Sequence, residues 1–131
     1  MGSIIAFDVL SFFVPESKVH TFITIGSPLG LPLVISKIAS QYKNNPSGRK
    51  EMVAPPGIYV NWINFSDVLD KITMSYKLSQ KFKFNKNAIK PKDFAVANDY
   101  ISEDRESNPH KSFGYLRTEE FSMALHNFLT H

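Results

Sequence analysis

Residues Val19–Ile25 are largely apolar or β-branched on both sides of an extended chain, and this constrains the fold more than any other stretch. Val19, Thr21, Ile23 and Ile25 share one face, and His20, Phe22 and Thr24 share the other. A strand with one wet face alternates apolar with strongly polar side chains. A run apolar on both faces fits a parallel strand covered by helices above and below. A covering helix precedes it. Gly2–Val14 carries apolar side chains in almost every direction, interrupted by Ser3, Asp8 and Ser11. A helix apolar all round is normally buried in a larger protein. Pro15 ends it.

The remaining pattern alternates in the same way. Gly26-Ser27-Pro28 breaks the first strand, and Leu33–Tyr42 reads as a short helix. Asn44–Gly57, rich in Pro, Gly and charge, reads as a loop. Ile58–Phe65 is the second strand, with Trp62 and Val60 on one face and Ile63 and Tyr59 on the other. Leu78–Phe84 alternates Leu78, Gln80, Phe82 and Phe84 with Ser79, Lys81 and Lys83, which suggests an extended flap or a small edge strand. Asp93–Ala97 is the third strand. Thr118 suits a helix N-cap, with Glu119 and Glu120 in the first turn. Phe121, Ala124, Leu125, Phe128 and Leu129 then form a helical stripe. The expected class is α/β: a parallel sheet of about three strands flanked by helices, in one unit spanning residues 1–131.

Composition narrows the function. There is no cysteine, so disulfides and thiolate metal sites are excluded, and no metal or cofactor is expected. The opening apolar run lacks a basic leader and carries Asp8, which argues against a signal peptide and for a cytoplasmic protein. No apolar run reaches the roughly 20 residues of a spanning helix. Net charge is only +3, and the basic Lys77–Lys92 stretch has no nucleic-acid reading motif, so nucleic acid is not an expected partner. With Phe82 and Phe84, that stretch could instead touch an anionic surface.

Three segments occur in an order that carries a resemblance. The chain opens Met1-Gly2-Ser3-Ile4-Ile5-Ala6-Phe7-Asp8-Val9-Leu10. Asn61–Ile72 runs from a strand into a loop holding Asp67 and Asp70, and Asn108-Pro109-His110-Lys111-Ser112-Phe113-Gly114 precedes the last helix. Together with the Gly26-Ser27-Pro28 turn, they resemble the C-terminal part of the α/β-hydrolase serine hydrolases, lipases and esterases among them. Chain order there is Ser, then Asp or Glu, then His, with the serine on a G-x-S-x-G turn.

The resemblance implies that Met1 follows the nucleophilic serine and Gly2 closes that turn. The chain would then be a truncated hydrolase with a partial α/β-hydrolase fold. Asp70 is the implied acid, with Asp67 as the alternative, and His110 is the base. The backbone N–H of Met1 would be an oxyanion donor, and Gly26, Ser27 and Pro28 would line the pocket. The substrate would be an acyl or lipid ester, and the chain as written would lack a nucleophile and be inactive. Ser27 stands one place early in Gly26-Ser27-Pro28-Leu29-Gly30, and Ser3 lies inside the helix start, so neither suits attack. A non-catalytic binding or interaction module with the same walls is the alternative. In either case the first strand would have a bare edge, which invites self-association or pairing with a partner.

Overall fold

A computed structural model of the chain describes residues 1–43, 52–70, 73, 76–98, 101, 103, 105 and 112–131. Three strands, β1 (Val19–Ile25), β2 (Ile58–Asp67) and β3 (Pro91–Val96), form one sheet in the order β1-β2-β3, and both pairings are parallel. Around it lie α1 (Gly2–Asp8), α2 (Pro32–Lys43), the single turn α3 (Leu78–Lys81), α4 (Ser112–Leu116) and α5 (Glu119–Thr130). This is the α/β arrangement expected from the strand patterns. Among the described residues, no helix is long and apolar enough to cross a membrane.

The sheet separates two cores. On one face Trp62 is the centre, with Phe7, Phe22 and Phe82 around it at ring distances of 6.1, 5.3 and 5.1 Å. Ile58, Leu29, Ile38 and Leu78 complete that layer. On the other face Phe65, Val96 and Tyr115 are buried, and Ile23, Ile25, Ile63, Phe121 and Ala124 pack against them. Strand alternation in β2 therefore directs Ile58 and Trp62 to one core and Ile63 and Phe65 to the other.

A polar row crosses the sheet inside the first core. Thr24, Asn64 and Asp93 are in register on the three strands. Thr24 Oγ1 accepts from Trp62 Nε1 at 3.2 Å and donates to Asn64 Oδ1 at 2.8 Å. Asn64 Nδ2 donates to Asp93 Oδ1 at 2.9 Å. Buried polar groups are tolerated when they satisfy one another in this way.

Four sequence expectations change. The Leu78–Phe84 stretch is not extended throughout: Leu78–Lys81 is a helical turn. Leu78 and Phe82 are both buried, four residues apart on one helical face. The Asp93 carboxylate accepts from Leu78 N at 3.1 Å and Ser79 N at 2.9 Å, so a β3 side chain fixes the start of the turn. Phe82 is therefore a core residue, and only Phe84 of the pair is exposed.

The faces of β1 also differ from simple alternation. A bulge between Val19 and Thr21 breaks the register with β2. Val19 joins the Trp62 core, while His20 stacks edge-on against Tyr59 and Phe128 of α5 at 5.5 and 5.4 Å. Between these pairs β1 advances two residues while β2 advances three, so Val19 and His20 face opposite to what alternation from Thr21 would give.

The opening helix is α-helical only through Asp8. Val9–Phe13 widens to a π-turn, with Val14 N bonded to Val9 O at 2.9 Å. Phe12 packs on Tyr42 at 5.2 Å. Phe7 is the one buried residue in α1, while Ile5 and Phe13 are 58% and 75% exposed. The stripe on α5 is likewise covered only in part. Phe121 and Ala124 pack on the sheet, whereas Leu125, Phe128 and Leu129 remain exposed.

Candidate functional site

All three strands run the same way, so their carboxyl ends form one edge of the sheet, where open α/β sheets place their ligands. The chain leaves β1 through Gly26, whose φ of +52° suits glycine. Gly26 N donates to Phe65 O at 2.9 Å, which ties this turn to the end of β2. Ser27 is buried. Its Oγ donates to Ser3 Oγ at 2.8 Å and accepts from Leu29 N at 3.3 Å. The amino end of α1 is thereby held at the carboxyl end of β1. Gly26 and Pro28 line a cleft of about 270 Å³ with Met1, Gly2, Ser3 and Ala6, running along the free edge of β1. The Met1 carbonyl accepts from Ile4 N and Ile5 N.

The two candidate acids differ in their surroundings. Asp67, the last residue of β2, is 0% exposed. Its Oδ1 accepts from Leu69 N and its Oδ2 from Asn98 N, both at 2.6 Å. Both oxygens are thus engaged by main chain, and the carboxylate joins the end of β2 to the segment after β3. Asp70 is buried three residues further on, and its Oδ1 accepts from Thr73 N at 3.3 Å. His110 lies outside the described residues.

Tyr115 holds this edge together and was not singled out by its sequence context. It is buried, and its hydroxyl accepts from Asp67 N at 2.9 Å. A Cβ added to Gly26 would lie 3.4 Å from that oxygen. Neighbouring Gly114 is equally constrained, since a Cβ there would overlap the Asn98 side chain. The α4 segment therefore wedges between the ends of β1 and β2. The one available signal was the Gly114-Tyr115 pair itself, a residue without a side chain beside a large ring.

Burial pushes the Tyr115 phenol up to about 12, and the nearby Asp67 and Asp70 carboxylates add to this against the opposing hydrogen bond from the Asp67 amide. The neutral phenol is thus favoured by the fold, while the unfolded value is 10.0. The associated stability is complete below pH 10 and is lost as pH rises through the window from 10 to about 12. Melting temperatures should fall across that window. Ultraviolet phenolate absorbance should show one tyrosine ionising only at its upper end.

Among the described residues, no three His, Asp or Glu side chains converge as metal ligands would. Comparison with protein-family models, curated proteins and solved structures finds no match to this chain.

Proposed function

We propose that this chain supplies the acid and base of an ester hydrolase of the α/β-hydrolase type, acting on acyl or lipid esters, with the nucleophilic serine contributed by polypeptide outside these residues. The observation that carries this reading is the gathering, at one carboxyl edge, of the start of α1, the Gly26-Ser27-Pro28 turn, the Asp67–Asp70 loop and the Tyr115 anchor. Asp70 is the acid in this reading, as the resemblance implies, while Asp67 braces the main chain through both its oxygens. His110 is the base. It lies outside the described residues and precedes Tyr115 by five positions in the sequence.

The two sheet edges differ in a way that favours a strand beside β1. The β3 edge begins at Pro91, flanked by Lys90 and Lys92, features that protect a solvent-facing edge. Strand β1 itself contains neither proline nor lysine, with Lys18 only preceding it, and the start of α1 stands at its carboxyl end. A strand feeding α1 would cover that edge and deliver a serine immediately before Met1. The backbone N–H of Met1 would then face the oxyanion.

Reaction with a fluorophosphonate probe tests the proposal. The 131-residue chain alone should remain unlabelled. The chain extended by its own upstream-encoded residues should label at a serine directly preceding Met1. An upstream residue other than serine, or an extended protein that folds and stays unlabelled, sinks the reading and leaves the non-catalytic binding module in its place.

A further inference from the structure

The opposite end of the sheet carries a second surface, and we propose that it docks on an anionic lipid bilayer. Lys18 precedes the first residue of β1, and Lys90 precedes the first residue of β3. Lys83, Phe84 and Lys86 are exposed on the segment that closes this amino end. From Lys77 to Lys92 there are six lysines and no carboxylate.

The segment is held firmly. Lys83 N donates to Met52 O, and Lys83 O accepts from Ala54 N. Buried Asn85 donates through Nδ2 to the carbonyls of Pro55 and Ile58, both at 2.8 Å, while its Oδ1 accepts from Asn87 N and Ile89 N. Asn87 Nδ2 donates to Pro56 O and Ile58 O. Ala88 takes a φ of +59°, a conformation that persists where surrounding bonds over-determine the turn. This many bonds hold a loop that exposes Lys83, Phe84 and Lys86 beside Asn87 and Ala88. Phe84 is 59% exposed, with Lys90 Nζ 5.0 Å from its ring centroid.

Exposed lysines on the same segment as an exposed aromatic side chain fit a bilayer with anionic headgroups: the ammonium groups meet phosphates while the phenyl ring enters the interface. The charge distribution orients the contact. Among the described residues, Asp67, Asp70, Glu119 and Glu120, with Arg117 among them, belong to the opposite end of the sheet, and Glu16 lines the adjoining cleft with Lys18 and Lys86. Docking by the lysine end leaves the carboxyl edge facing water. The proposal is independent of whether that edge catalyses anything.

Flotation of the full chain with phosphatidylcholine vesicles, with and without phosphatidylserine, provides the test. Binding is expected only with phosphatidylserine, and should be lost as salt rises from about 0.1 to about 0.5 M. Each lysine near the surface should contribute about fivefold, so combining Lys83→Gln, Lys86→Gln and Lys90→Gln should weaken partitioning about 100-fold. Arg117→Gln, at the other end, should leave it unchanged. Phe84→Trp should show a blue shift on binding, against the constant background of buried Trp62. Equal binding to neutral vesicles, no vesicle binding, an unaffected triple variant or an unshifted Phe84→Trp emission each overturns the proposal. So does tighter binding to single-stranded RNA than to the anionic vesicles, which would make nucleic acid the partner.

Discussion

Asp67→Ala will destabilise the fold by about 2–3 kcal/mol, chiefly because it leaves the buried amide of Asn98 without its acceptor and also removes the acceptor of the more exposed Leu69 amide. The carboxylate is fully buried and bonds two amides on different segments, so water has no easy route to replace it. Asp67→Asn should be milder but still clearly destabilising. It keeps one carbonyl acceptor and turns an NH2 donor toward the other amide. Asp70→Asn should be milder than Asp67→Asn, because Asp70 Oδ1 accepts from Thr73 N at 3.3 Å whereas both Asp67 bonds are at 2.6 Å. In a protein that carries the serine, the same Asp70→Asn change should lower kcat/KM by roughly 10³–10⁴-fold, as loss of an orienting acid does in a triad. Urea titration followed by circular dichroism measures the first set, and ester hydrolysis by the serine-bearing protein measures the second. If Asp67→Asn abolishes turnover while leaving stability intact, and Asp70→Asn does neither, the two assignments exchange.

Trp62→Ala should cost about 3–5 kcal/mol, a large share of the roughly 5–15 kcal/mol that holds an ordinary domain together. Three aromatic rings from α1, β1 and the segment after α3 meet on this indole. Its Nε1 also donates into the Thr24–Asn64 row, so truncation opens a cavity and removes a bond from a buried polar chain. Trp62→Phe retains most of the volume and should cost about 1–2 kcal/mol, mainly the lost hydrogen bond. Trp62 is the only tryptophan, so the comparison needs circular dichroism rather than intrinsic fluorescence. A Trp62→Ala protein that unfolds at the wild-type denaturant concentration would show that the core closes around the gap.

Much of the architecture is legible from local pattern. The two-sided apolar run at Val19–Ile25 reads as a covered parallel strand, and the structure pairs it parallel to β2. Thr118 reads as an N-cap, and its side chain accepts from Phe121 N. Trp62 and Ile63 read as facing opposite ways, and they enter opposite cores. Period and capping depend on residues a few positions apart, and such information lies within the sequence window that carries it.

Tertiary structure alone settled the remainder, because the deciding partners are distant in sequence. Alternation at Leu78–Phe84 resembles a strand until the Asp93 carboxylate, about 15 residues later, caps a helical turn there. The sequence resemblance ranks Asp70 ahead of Asp67 as the acid without revealing any structural role for Asp67. Only contacts spanning 31 residues to Asn98 and 48 residues to Tyr115 separate a carboxylate that braces main chain from one that follows it. Chain order and local periodicity specified where most strands and helices lie; contacts across the fold decided the faces at β1, Leu78–Phe84 and α5, and hydrogen bonds closed across the folded sheet specified which polar side chains serve structure, since a donor's need for an acceptor is met in space and leaves no mark on its neighbours in sequence.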